Sequence, residues 1–365
     1  MHYLDLLFGW AARGPRFFAD GWGDRALCEA IDPAALARRR IPPLQVKLGQ
    51  RTRTLGGVLR EGSFVSPEGR LPPCARSARV RLLLPERGVR GVALHLAASA
   101  DQGFAVRLRF AAPLLARGIG ALVLENPFYG SRRPPGQFGP AVRSLSDLHL
   151  MGAATFQEGR ALLRWLRDVQ GIPLVGVTGF SMGGQLAAMV GASMPFACAV
   201  VPLAPACSPD SVLRHGVLRH VAHWGALAAA GEDTEAARAA VCAHLSRFSV
   251  RTLPAPVLPD AAIVVGTSGD GVVPPEDMRR IAAHWGAELR WIDAGHVSAV
   301  LRHQGAMREA IADAFGRLEG ALAVATRPSD RAPPRARGSG ARAPGAPASA
   351  AAREPLPDPE PVPRS

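Results

Sequence analysis

The chain has 365 residues, 48% of them hydrophobic, and a formal net charge of +13. That length can bury a large core in one or two domains, and no run reaches the about 18 consecutive apolar residues of a membrane-spanning helix. The basicity is almost wholly arginine and thinly spread. Its densest run, Arg38-Arg39-Arg40, has no interleaved aromatics, which argues against nucleic acid and leaves an anionic ligand or membrane surface as the partner that charge suggests.

Five cysteines (Cys28, Cys74, Cys198, Cys207, Cys242) contain no C-x-x-C pair. An odd number without that spacing fits buried thiols in a reducing, cytoplasmic setting, with peripheral membrane contact as a secondary option, better than a disulfide framework or zinc motif. The opening MHYLDLLFGWAARGPRFF interrupts its apolar run with Asp5 and has no basic region ahead of it, so it is a poor signal peptide. Leu4, Leu7, Phe8 and Trp10 share one face of a short helix that would pack on the body.

Residues 1–78 read as an irregular N-terminal extension packed on that body, with a short strand near GSFVSP. From residue 79 to 326 the text alternates. RVRLLLP, GVALHLA, GALVLE, PLVGVTG, ACAVVPLA, AAIVVGT and ELRWID have the apolar density of strands. Between most of them lie stretches of helical length at 103–117, 147–169, 182–194 and 275–285, with a last helix at 298–323. Strand and helix in alternation predict an α/β fold, a mostly parallel sheet with helices on both faces. The connection at 208–258 is too long for that rhythm and reads as an inserted helical lid. Beyond it, residues 327–365 hold ten prolines and only two larger aliphatics, Leu356 and Val362; so little apolar area cannot offset the entropy of ordering, and the tail is expected to be disordered.

Gly179-Phe180-Ser181-Met182-Gly183 falls where the strand PLVGVTG gives way to a helix. In that context G-x-S-x-G is a sharp turn that lifts one hydroxyl to its apex, next to a helix start whose free N–H groups favour developing negative charge. Taken alone the pentapeptide is equally a glycine turn with a solvated serine. Two further residues sharpen it. Asp270 follows the end of AAIVVGT, and His296 follows the end of ELRWID, so all three lie at the carboxyl edge of the sheet, where ligands gather. A serine hydroxyl needs a base, imidazole can take its proton near neutral pH, and a carboxylate fixes the imidazole's tautomer. Asp293, close to His296 in sequence, is a weaker candidate for the acid.

Met182 would give the first oxyanion donor, and Ala97 or Ala98 in HLAASADQG the second. In LENPFYGSRRPPGQ, Arg132 and Arg133 would set two cations beside the pocket, suited to phosphate or carboxylate. In the lid, Val217, Leu218, Val221, Trp224 and Leu227 form one helical apolar face, with Trp224 among the substrate contacts. His215, His220 and His223 accompany it with no metal-ligand spacing.

The chain resembles the alpha/beta-hydrolase domain-containing protein 18 family. The resemblance rests on GWG at 21–23, GSFVSP, HLA with Asp101, LENPFYGSRRP, SDLHLMG, GFSMGG, GDGVVP and GHVSAVLRHQGAMREAIADAF, in order over most of residues 20–315. It implies an α/β-hydrolase fold with Ser181, Asp270 and His296 as triad, and it suggests phospholipid acyl-ester hydrolysis. One departure stands out: the family's glycine-rich loop after HLA here carries Ala98 and Ala100, with Gln102 where histidine is common. The expected activity is a serine hydrolase acting on a carboxylic ester of a lipid or other small molecule, with no metal or organic cofactor. The alternative is a non-catalytic member that uses the pocket for binding or scaffolding.

Overall fold

The computed structural model describes residues 3–5, 17–229 and 231–325. The tail at 327–365 and Leu7, Phe8 and Trp10 of the opening segment lie outside the described residues.

Two short helices come first, α1 (Arg25–Ala30) and α2 (Pro33–Arg38). Asp24 and Asp32 begin them, each carboxylate accepting a first-turn N–H at 3.0 and 2.9 Å that would otherwise lack a partner. The stretch expected to be irregular apart from a short strand near GSFVSP then builds a hairpin, β1 (Lys47–Thr54) and β2 (Gly57–Val65), whose second strand takes in the first residues of GSFVSP. Its two-residue turn, Leu55-Gly56, has positive φ at both positions, as a primed turn requires. KLGQRTRT has no apolar alternation because β1 is an edge strand with nearly every side chain in solvent.

After a one-turn helix α3 (Pro73–Arg76) come β3 (Ser77–Leu84), β4 (Gly91–Leu96), α4 (Ala105–Ala111) and β5 (Ile119–Leu124). The long α5 (Leu145–Asp168) precedes β6 (Leu174–Phe180), α6 (Met182–Ala192) and β7 (Ala199–Leu203). Then come the insertion, β8 (Ile263–Thr267), α10 (Pro275–Trp285) and β9 (Glu288–Ile292). Two helices, α11 (His296–Arg302) and α12 (Gln304–Ala325), follow β9.

The nine strands lie in the order β1-β2-β3-β5-β4-β6-β7-β8-β9. The first three are antiparallel, and β4 to β9 run parallel. β4, β5, β7 and β8 are buried along their whole length, which is why they read as unbroken apolar runs. One core cluster packs α5, α6 and α10 on one face of the sheet, and another packs α12 on the other. The strand order reverses at β4, so a crevice opens beyond the carboxyl ends of β4 and β6.

The insertion between β7 and β8 contains α7 (Pro209–His215), α8 (Trp224–Leu227) and α9 (Thr234–Leu245). The continuous helix expected across 217–227 is absent. Residues 217–220 form a 3₁₀ turn, and the next three pair with the N-terminal segment instead: Phe17 donates to the Val221 carbonyl at 3.0 Å and His223 to that of Phe17 at 2.9 Å. Trp224 turns its indole N–H to the Arg219 carbonyl at 2.8 Å. His223 caps α8, its Nδ1 accepting the Ala226 N–H at 3.0 Å.

The GWG stretch clips these parts together. Trp22 donates to the Leu227 carbonyl at 3.0 Å, while the carbonyls of Gly21 and Trp22 accept the N–H groups of Leu145 and Ser146 at the start of α5, both at 3.0 Å. Gly21 has φ +66, and a Cβ there would sit 2.3 Å from the Ala226 carbonyl oxygen, so only glycine fits.

Candidate active site

Ser181 occupies the turn between β6 and α6 with φ 57 and ψ −120, a region that costs a non-glycine residue of order 1–3 kcal/mol and persists only where the surroundings impose it. They do so here. Its N–H is held by the Leu203 carbonyl and its carbonyl by the Gln185 N–H, both at 2.9 Å. A Cβ on Gly183 would stand 2.5 Å from the Leu96 carbonyl oxygen, so α6 can approach β4 this closely only because that residue is glycine. Met182 opens α6 and therefore presents a backbone N–H with no partner inside the helix.

Asp270 and His296 are both buried, and His296 Nδ1 lies 2.6 Å from Asp270 Oδ2. The carboxylate is fully engaged. Oδ2 also accepts the Thr267 hydroxyl at 2.6 Å, and Oδ1 accepts the N–H groups of Val272 and Val273 at 2.8 Å each. The His296 ring packs on Phe180, the residue before Ser181, with centroids 4.6 Å apart. Asp293 is elsewhere: it is exposed and accepts from the Ser268 hydroxyl at 2.8 Å.

Asp5 is the residue that sequence reasoning missed. Its carboxylate has no solvent exposure and accepts three backbone N–H groups: Gly271 at 2.8 Å, His296 at 2.9 Å and Val297 at 2.9 Å. One side chain thus ties the Asp270 loop to the start of α11. Its place inside an apolar run is the one local signal, and both segments it ties lie more than 260 positions away.

The loop after β4 places Ala97 in the core and Ala98 half-buried, while Ser99 and Ala100 line the cavity beside Ser181. Ala100 has φ 67, and its N–H goes to the Tyr129 hydroxyl at 3.3 Å, so it is not free to serve an oxyanion. Gln102 accepts the Gly130 N–H at 3.2 Å, and Asp101 pairs with the buried Arg107 at 2.7 Å. Burial pushes the Tyr129 hydroxyl up to about 12 and, with Arg107 adding to it, the His95 imidazole down to about 3. LENPFYG therefore braces the loop after β4.

Arg132 does not stand beside the pocket. It has no solvent exposure, and its guanidinium spends all five N–H groups on the fold. Two go to Glu158 at 2.6 and 2.9 Å, two to the Ala75 carbonyl at 2.9 and 2.8 Å, and one to the Glu125 carbonyl at 2.7 Å. A buried cation must be paired and fully hydrogen-bonded to be tolerated, and here it joins α3, the end of β5 and α5. Arg133 is exposed, its guanidinium 3.5 Å from Gln102. Arg132→Met should therefore cost about 3–5 kcal/mol by leaving Glu158 charged and unpaired. Chemical denaturation checks this, and adding Glu158→Leu should recover much of the loss.

Ser181 and Met182 lie on the wall of a cavity of about 420 Å³. Phe18, Leu186 and Met189 belong to the same wall, and the insertion adds Val212, Leu213, Leu218, Val221, Leu245 and Phe248. Trp224 packs on the core next to this region and is not among the lining residues. Volume and apolar lining are those of a small-molecule site.

A parallel sheet that reverses order at β4, a serine at a strained strand–helix turn, and an Asp–His pair after β8 and β9 define an α/β-hydrolase fold. Solved structures agree on that fold. The acetyl xylan esterases of Paenibacillus sp. R4 and Thermoanaerobacterium sp. JW/SL YS485 superpose with TM-scores of 0.55 at 14% and 17% identity, each over 82% of this chain and 98% of theirs. The Pyrococcus furiosus esterase Pf2001 gives 0.50 at 15% identity, over 76% of this chain and 99% of its own. Residues 15–234 and 228–317 match the family described as alpha/beta hydrolase domain containing 18, and the chain belongs to that family. An uncharacterized Mycobacterium tuberculosis protein, found in two strains, is 28% identical over 187 residues. The match spans 49% of this chain and 42% of that relative. Among the described residues no helix is long and apolar enough to cross a membrane.

Proposed function

We propose that the protein is a serine esterase that cleaves a carboxylic ester carrying a long apolar acyl group, as in a lipid or phospholipid. The observation that carries this is the Ser181 hydroxyl on the wall of a cavity lined almost throughout by apolar side chains, with the Asp270–His296 pair packed behind Phe180. Because His296 Nδ1 donates to Asp270, Nε2 holds the lone pair and is the base. Ser181 Oγ attacks the acyl carbonyl carbon as its proton passes to Nε2. The N–H of Met182, with a second from the turn at Ala97 and Ala98, holds the oxyanion. Nε2 then returns the proton to the leaving alcohol, and water repeats the sequence on the acyl-enzyme.

The loop that leads to cavity-lining Pro140 supports a substrate drawn from a membrane. Phe138 is 83% exposed, two residues from the cavity-lining Pro140, on the same loop as the exposed Arg133. The expected result is covalent labelling by a fluorophosphonate and faster hydrolysis of long than of short acyl esters. Phe138→Ser should slow hydrolysis of a vesicle-borne ester severalfold and leave a soluble ester untouched. Absence of labelling would favour a non-catalytic binding role for the same cavity.

A further inference from the structure

His149 of α5 and His244 of α9 meet in the interior with their Nε2 atoms 2.9 Å apart. A neutral His149 cannot donate at that atom, and neither can a neutral His244 whose Nδ1 donates to Glu29. His149 Nδ1 must donate to the Leu145 carbonyl at 2.7 Å, and His244 Nδ1 faces the Glu29 carboxylate at 3.2 Å, and a neutral imidazole has one N–H. With both Nδ1 atoms donating outward, to Leu145 and Glu29, the two Nε2 lone pairs point at each other, which is repulsive unless a cation or an extra proton lies between them. The Phe248 ring at 4.6 Å from His149 and Trp22 at 5.6 Å from His244 enclose the pair.

A third donor converges on the same point. The Cys28 thiol of α1 is fully buried, with only a long 3.9 Å contact to the Trp22 carbonyl. Its Sγ and one ring nitrogen of each histidine all lie within 4.8 Å of one another. One sulfur and two imidazoles, each ring oriented through its far nitrogen by a carbonyl or a carboxylate, is a donor set suited to zinc and its neighbours.

We propose that Cys28, His149 and His244 bind one divalent transition-metal ion of the zinc class, with Leu145 and Glu29 orienting the two rings. The ion would clamp α9 of the insertion to α1 and α5. His149 also lines the cavity beside Ser181, so the clamp would fix one wall of that cavity without touching the reacting atoms.

The test uses the full-length protein, stripped with a chelator and titrated with Zn²⁺ and Co²⁺. Expected are one ion per chain, a thiolate-to-Co²⁺ charge-transfer absorption, a raised Tm, and binding that tightens with pH as the thiol proton is displaced. Cys28→Ser should abolish the charge-transfer absorption, and His244→Ala should weaken binding at least about 100-fold. Glu29→Gln should weaken it about 10- to 100-fold; because Glu29 is exposed, that variant stays informative if the buried ones fail to fold. Cys74→Ser and Ser181→Ala should bind as wild type. Absence of stoichiometric binding, which would leave the histidines sharing a proton, overturns the proposal. So does binding that survives Cys28→Ser, His244→Ala and Glu29→Gln unchanged.

Discussion

Ser181→Ala is expected to lower kcat for ester hydrolysis by at least about 10⁴, with Tm unchanged. Triad serines show losses of that size because the remaining groups act only through the nucleophile. The backbone bonds that impose the turn, from the Ser181 N–H to Leu203 and from Gln185 to the Ser181 carbonyl, do not involve the hydroxyl, so alanine should keep the turn. Gly183→Ala makes the useful contrast. Its Cβ would press to 2.5 Å on the Leu96 carbonyl oxygen, so it should lose activity and stability together. Kinetics and thermal melts of both variants separate chemistry from scaffold. Turnover of Ser181→Ala within about tenfold of wild type would remove Ser181 from the mechanism.

What could be read from the sequence was whatever local physics dictates. Strands buried on both faces must be apolar throughout, so β4 to β8 were visible as runs, and the elbow was visible because so tight a turn needs glycine at fixed offsets. Asp270 and His296 followed from their place after strand ends. Elements that depend on partners outside their own segment were not visible. β1 is polar because it is an edge, and it is a strand only because β2 lies beside it. Arg132 looks like any loop arginine until Glu158 and Ala75 are brought to it, and burial then turns an expected ligand contact into an internal strut. The 217–227 stretch has helical spacing, yet pairing with Phe17 breaks it. Asp5, and the meeting of Cys28 with His149 and His244, have no signature at any spacing that chain-local reasoning could test.

Asp270→Asn should lower kcat by about 10⁴, the size of effect expected when the triad histidine is held in the wrong tautomer, whereas Asp293→Asn should stay within about twofold of wild type. The hydrogen bonds of Asp270 decide how the amide must sit. Oδ1 accepts two backbone N–H groups, from Val272 and Val273, so in the variant that position must remain the oxygen. The amide nitrogen is then forced to the Oδ2 position, 2.6 Å from His296 Nδ1. An NH₂ group there can only donate, so Nδ1 must accept, and the single imidazole proton moves to Nε2. The lone pair that should take the Ser181 proton is lost while the geometry stays intact. Asp293 accepts from the Ser268 hydroxyl in solvent, and an amide there can do the same. Steady-state kinetics and the rate of fluorophosphonate labelling give two independent readouts, because labelling also needs the base. If Asp293→Asn proves the more damaged variant, or if Asp270→Asn keeps more than about a tenth of wild-type activity, Asp270 is not the residue that orients His296.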